Sequence, residues 1–227
     1  EVISGQGLIP EGFQHYILKY DDNSAYPFSK LEYIYYQMAL DAGIEMMPSE
    51  LRTYDGVTHF LTQRFDRNDN EKVHTQTLAA MSPASDSYED IFAVIRRLNL
   101  PYEDTRQQYL RMVFNVIARN VDDHSKNFSF CMNRNGAWRL SPAYDLTYSV
   151  DLTAPAYSNR HSLTVNGKNE EFTRGDLKTI GQNNDIQDYN TLIDAVNNAI
   201  AKFELYAKEL DIDEKLIKSI QADFIKV

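Results

Sequence analysis

Cysteine is almost missing from this chain: Cys131 is the only one among 227 residues. A lone thiol closes no internal disulfide and cannot build a zinc ribbon, so a disulfide scaffold is excluded and a reducing, cytoplasmic setting is expected. Long apolar runs are absent too. No stretch approaches the roughly 18 residues of a membrane span, and the opening EVISGQGLIPEG lacks the basic flank and apolar run of a signal peptide. The chain starts at Glu1 without a methionine, as a trimmed fragment would. Basic residues are outnumbered, 23 Lys+Arg against 33 Asp+Glu, for a net charge of −10. That balance argues against a dominant nucleic-acid or anionic-membrane surface and leaves room only for a local basic cleft. Internal repeats, low-complexity tracts and Pro/Ser-rich linkers are missing, as are G-x-S-x-G and H-E-x-x-H.

What is present is an ordinary globular composition, 43% hydrophobic and 25% charged, long enough for one domain or two small ones. Gln14 to Tyr20 mixes aromatic and β-branched residues and reads as a strand. Apolar residues at Leu31, Ile34, Tyr35, Met38 and Ala42 mark a helix over 29–42, with Ser29 as its expected N-cap and Glu32 at capping-box spacing. Asp55-Gly56 between two strand-like runs, 46–54 and 57–65, suits a type I′ hairpin. Beyond Asp66 the pattern turns helical: 88–98 and 102–119, then a helix opened by Thr173 and Asp176, a long one over 188–210 and a last one after Asp213. One small hairpin, 128–132 with 137–140, interrupts them around Asn133-Arg134-Asn135-Gly136, while Gly175 and Gly181 mark weak points. The expected architecture is α+β, with a small β-rich lobe over 1–65 and a larger helical lobe over 66–227.

The most polar stretch, Arg119 to Asn127, sits between a helix and a hairpin. Asp122 and Asn127 have the D-x-x-x-x-N spacing of a phosphoryl-transfer loop, in which the Asp accepts the nucleophile's proton and the Asn oxygen holds Mg²⁺. Asp145, eighteen residues after Asn127, stands where such sites keep a second carboxylate, and two hard oxygen ligands suit Mg²⁺. Lys19 is placed like the strand lysine that contacts phosphates, with Glu32 as its candidate partner, and Gln63 with Phe65 as the adenine hinge. Each element has a plainer reading: a strand-edge lysine, a capping box, alternating strand residues, an Asx turn. Their order along the chain is what favours a kinase-like site. A competing use of Asp122, Asp123, His124 and His161 is a metal cluster, although the H-x-x-x-H spacing is lacking; His124 then reads as a structural support of the loop.

Four stretches resemble the C-terminal kinase region of the HipA-like toxin kinases: 63–67 (QRFDR), 122–129 (DDHSKNFS), 141–145 (SPAYD) and 161–168 (HSLTVNGK). The resemblance implies a two-lobed protein-kinase-like fold akin to the phosphatidylinositol 3/4-kinases, and an ATP- and Mg²⁺-dependent Ser/Thr kinase of a bacterial toxin–antitoxin system. It further implies an aminoacyl-tRNA synthetase as protein substrate, inhibited translation, and a helix-turn-helix antitoxin as partner. Neither direct nucleic-acid contact nor a membrane is expected. Carried over, Asp122 is the catalytic base and Lys126 helps neutralise the transferring phosphoryl, while Asn127 and Asp145 are the Mg²⁺ ligands. Lys19, Glu32, Gln63, Phe65, Asp66 and His124 make up the nucleotide-binding set. The family's phosphate loop is reduced here to Ser4-Gly5-Gln6-Gly7. Two alternatives therefore stand beside the kinase: a nucleotide- or antitoxin-binding module without transfer activity, and a small-molecule phosphotransferase.

Overall fold

The computed structural model describes residues 3, 5, 8–22, 26–155 and 158–227. Of the reduced phosphate-loop stretch, Ser4, Gln6 and Gly7 lie outside the described residues. The N-terminal sheet is antiparallel in the order β1 (Tyr16–Lys19), β3 (Val57–Gln63), β2 (Ser49–Tyr54). β2 and β3 are joined through Asp55 and Gly56 at φ 50° and 82°, the two positive values a type I′ turn requires. The register sets Lys19 of β1 opposite Phe60 of β3, which is opposite Leu51 of β2.

Helix α1 (Phe28–Asp41) begins differently from the capping-box expectation. Ser29 lies inside the helix, and its N–H donates to the Asp21 carboxylate (3.1 Å). An acid supplied from the β1–α1 connection satisfies an otherwise orphaned amide at the positive end of the helix. Glu32, freed from capping, turns to Lys19 instead. The opposite stripe of α1, with Leu31, Ile34, Tyr35 and Met38 buried, joins one continuous core with the helices that follow.

Those helices are α2 (Leu78–Met81), α3 (Tyr88–Arg97), α4 (Tyr102–Ile117), α5 (Arg174–Asn183), α6 (Tyr189–Ile200), α7 (Phe203–Glu209) and α8 (Glu214–Asp223). α4 is the central one: Tyr109, Leu110, Met112, Val113, Phe114, Val116 and Ile117 are all buried, each contributing roughly 1.5–3 kcal/mol on leaving water. The long helix expected over 188–210 is instead α6 and α7, broken at Ala201-Lys202. Apolar periodicity continues through the break because both helices pack on α1, and Lys202 and Tyr206 bond Asp41 at its C-terminal end (3.0 and 2.5 Å). Gly181, a weak point by propensity, is a close approach: a Cβ there would stand 2.7 Å from the Tyr189 Cβ.

The hairpin of β7 (Ser129–Met132) and β8 (Trp138–Leu140) gains a third strand, β6 (His74–Thr77), paired to β7. Its sequence His74-Thr75-Gln76-Thr77 carries no apolar residue and so gave no strand signal. A further two-residue pair, β4 (Arg67–Asn68) and β5 (Glu71–Lys72), precedes it. No helix among the described residues is long and apolar enough to cross a membrane.

Candidate active site

A cavity of about 270 Å³ opens where the N-terminal sheet meets the segment after β8. Six of the residues singled out from sequence line it: Lys19, Glu32, Gln63, Phe65, Asp66 and Asp145. Met46, Met47, Phe60 and Tyr144 supply apolar wall. Lys19 is the electrostatic centre. Its Nζ bonds Glu32 Oε1 (2.6 Å) and Asp145 Oδ1, so one cation ties strand, helix and the 141–145 segment together. Burial on its own would lower the Lys19 pKa, but the Glu32 and Asp145 carboxylates outweigh it and raise it. Burial pushes the Glu32 carboxyl up, with Lys19 partly offsetting it.

The 141–145 segment is held from behind by polar residues of α4. Buried Arg111 donates to the Ser141 carbonyl (2.6 Å), and its pKa is pushed down to about 10 by burial. The Ala143 N–H donates to the Glu45 carbonyl (2.8 Å), and the Glu45 N–H donates to Gln107 (2.9 Å). Tyr144 then joins two halves of the site. Its ring lies 5.5 Å from that of Phe65, and its hydroxyl donates to the Lys126 carbonyl (2.8 Å) and contacts the Ser129 hydroxyl (2.5 Å). Burial pushes the Tyr144 pKa up to about 12, so the phenol keeps its proton and can donate. Arg64 grips Asp66 through two bonds (2.7 and 2.6 Å), which holds the Asp66 carboxyl below its usual range against the opposing effect of burial.

Asp122, His124, Lys126 and Asn127 do not line the cavity; they form the adjacent loop, closed by a single 3₁₀ turn over Ser125–Asn127. Asp122 presents its carboxylate outward, with the side chain 68% exposed, and His124 Nε2 stands 3.9 Å from it. Asn127 Nδ2 donates to the Asp122 carbonyl (2.9 Å), which orients the amide and leaves its oxygen's lone pairs available to accept a hydrogen bond or ligate a cation. Asp123 faces the opposite way. It is fully buried and accepts from Tyr88 OH (2.7 Å), His161 Nδ1 (2.9 Å), Ser162 N–H (2.8 Å) and Leu163 N–H (3.3 Å). The metal cluster of Asp122, Asp123, His124 and His161 is therefore overturned: Asp123 and His161 are turned inward onto each other while Asp122 is turned out. Among the described residues no group of three or more His, Cys, Asp or Glu is arranged to hold a metal. Sequence reasoning missed Tyr144, Arg111 and the anchoring role of Asp123, although Tyr144 and Asp123 stand inside the motifs themselves.

A family model described as the HipA-like C-terminal domain matches residues 4–217. A protein of Sinorhizobium fredii (strain NBRC 101917 / NGR234), named "Putative kinase Y4mE", is 25% identical over 130 residues, covering 50% of this chain and 31% of that protein. The match thus spans under a third of that relative's length. Among solved structures, the Shewanella oneidensis MR-1 complex of HipA, HipB and operator DNA holds a similar chain. Identity there is 17% and the TM-score 0.67, over 98% of this chain and 64% of that one. The Helicobacter pylori proinflammatory kinase CtkA is 12% identical with a TM-score of 0.54, over 88% of this chain and 92% of that one. At these identities the likeness to both structures is one of fold, and the residues matched by the family model carry the assignment. The chain belongs to the HipA-like C-terminal domain family and has the α+β fold of the HipA and CtkA structures.

Proposed function

We propose that this chain is the catalytic part of an ATP- and Mg²⁺-dependent Ser/Thr protein kinase, acting as the toxin of a bacterial toxin–antitoxin pair. The observation that carries the reading is Lys19 held between Glu32 and Asp145 at a cavity with an apolar wall, beside an outward-facing Asp122. A lysine above an apolar slot, with the second lining cation, Arg64, already paired to Asp66, suits a nucleotide, with the base between Phe65 and the methionines and the phosphates toward Lys19. We place the lobe boundary at 65/66, so that Gln63 and Phe65 form the hinge over the adenine, with Asp66 and its Arg64 clamp closing the rim.

The donor set fits a hard cation: one amide oxygen from Asn127 and one carboxylate from Asp145, with water and phosphate oxygens completing the shell. Mg²⁺ bound there would neutralise charge on the phosphates. Asp122 accepts the proton of the attacking hydroxyl, and its exposure gives a protein side chain access. Lys126 offsets charge on the transferring phosphoryl, and His124 supports the loop at its nucleotide side. Lys19 turns from Asp145 to the phosphates when nucleotide enters, while Glu32 keeps it aimed.

By analogy with the HipA–HipB–operator complex, we assign a helix-turn-helix antitoxin as partner. That complex contains DNA, so nucleic acid belongs to the assembly; the net charge of −10 leaves the phosphate contacts mainly to the partner. An aminoacyl-tRNA synthetase is the proposed acceptor and inhibited translation the outcome. The test is transfer from γ-labelled ATP in fractionated bacterial extract. Label on a protein hydroxyl supports the reading, label on small alcohols only makes the chain a small-molecule phosphotransferase, and ATP binding without transfer makes it a binding module.

A further inference from the structure

Asp122 and Asp145 belong to separate segments, and two side chains outside the cavity, buried Asn120 and half-buried Ser149, link them. Asn120 is 2% exposed and bonded on three sides. Its Nδ2 donates to Asn115 Oδ1 of α4 (3.0 Å) and to the Asp145 main-chain carbonyl (3.3 Å), and its Oδ1 accepts from the Ser149 hydroxyl (3.2 Å). The Ser149 oxygen in turn accepts from the Asp122 N–H (3.0 Å). From the far side, Asn115 Nδ2 donates to Tyr88 OH (2.9 Å), which donates to Asp123. A continuous path of hydrogen bonds thus runs from the Asp122 backbone to the Asp145 backbone, with Asn120 at its centre. Asp145 sits at φ 54° and Arg119, just before Asn120, at φ 59°. Non-glycine residues hold that left-handed conformation when their surroundings fix it, and the Asn120 bond to the Asp145 carbonyl is one such restraint.

We propose that Asn120 is a positioning residue that couples the placement of Asp122 to that of Asp145. Only a primary amide supplies two donors and an acceptor at this reach; an aspartate would lose both donors and set its charge against a carbonyl. The coupling is a property of the fold, and its catalytic consequence rests on the kinase reading above.

The test uses the whole chain with Asn120→Ala, Ser149→Ala, their combination, and Ser149→Thr, which keeps the hydroxyl. Amide hydrogen exchange at Asp122 is expected to rise by about tenfold or more in Asn120→Ala, although Asn120 does not touch that amide, while amides of α6 stay as in the parent. The double variant should exchange no faster at Asp122 than Ser149→Ala alone, because both act along one path. In turnover, kcat should fall by about tenfold or more with KM for ATP within about twofold, and Ser149→Thr should recover most of the Ser149→Ala loss. Half-saturating Mg²⁺ should rise in Asn120→Ala and not in Ser149→Ala, since only Asn120 reaches Asp145. Parent-like exchange at Asp122 in Asn120→Ala, additive effects of the pair, or a general loss of protection extending through α6 overturns the proposal. A parent without ATP turnover would end the kinase reading, and the exchange data would still decide the coupling.

Discussion

Replacing Asp123 with alanine removes the acceptor that Tyr88 OH, His161 Nδ1 and the amides of Ser162 and Leu163 share, and of these four donors the Ser162 amide keeps a second acceptor, the Val121 carbonyl (3.0 Å). All surround a carboxylate with no solvent exposure. A buried donor left unpaired costs about 1–3 kcal/mol, and the lower end applies because water can enter the vacated space, so the other three together cost about 3–5 kcal/mol. Against a domain stability of about 5–15 kcal/mol that is a large fraction. With a urea m-value of about 3 kcal/mol/M for a chain of this size, the midpoint should fall by about 1–2 M. Asp123→Asn keeps one acceptor oxygen for the Ser162 and Leu163 amides but turns an NH₂ toward Tyr88 and His161. It should cost about 1–3 kcal/mol and fall between alanine and the parent. Urea titration followed by circular dichroism reads all three proteins. An Asp123→Ala midpoint within about 0.3 M of the parent would refute the anchor, since even one unpaired donor should exceed that.

Other outcomes follow from the same geometry. Lys19→Met strands the Glu32 and Asp145 carboxylates and removes the phosphate-facing cation, so calorimetry should find ATP–Mg²⁺ affinity weaker by about tenfold or more, about 1.4 kcal/mol; equal affinity would place the nucleotide elsewhere. Burial opposes ionisation of Asp176, but bonds from Lys168, Asn166 and Thr173 outweigh it and hold its carboxyl well below the usual range. A depressed folded-state pKa means this stability is fully present above the ordinary carboxyl pKa of about 4 and is lost as pH falls through the lower folded value. Melting temperature should therefore drop more steeply between about pH 4 and 2 in the parent than in Asp176→Asn, and parallel curves would contradict the assignment. Gly181→Ala should destabilise by about 1–3 kcal/mol through the contact with Tyr189, despite a helix-propensity gain of about 1 kcal/mol; a raised melting temperature would show that α5 and α6 part freely.

Much of this was legible locally. Asp55-Gly56 fixes its hairpin by φ alone, and Thr173 with Asp176 forms the capping box that its spacing predicts. Lys19, Glu32 and Asp145 converge although 126 residues separate the first from the last, because chain order in this fold family dictates which elements meet. The failures share a cause, which is that a partner outside the element itself decided the outcome. Asp21 took the capping role expected of Ser29, β7 recruited a strand with no apolar pattern, and the stretch expected as one long C-terminal helix packs on α1 as two. The spacing to Asn127 singles out Asp122 and leaves Asp123 only as a possible metal ligand; that the Asp123 side chain turns inward to hold Tyr88, His161 and the 162–163 amides depends on residues far along the chain that the local motif does not contain.

The most direct test of the central claim is ADP release from saturating ATP and Mg²⁺ by the parent, Asp122→Asn and Asp145→Asn, with nucleotide binding followed by thermal shift on the same samples. Mg²⁺-dependent turnover is expected in the parent, with a loss of about 100-fold or more in both variants. Asp122→Asn should still bind ATP, since the Asp122 carboxylate lies outside the cavity. Turnover that survives Asp122→Asn undiminished would contradict the central claim.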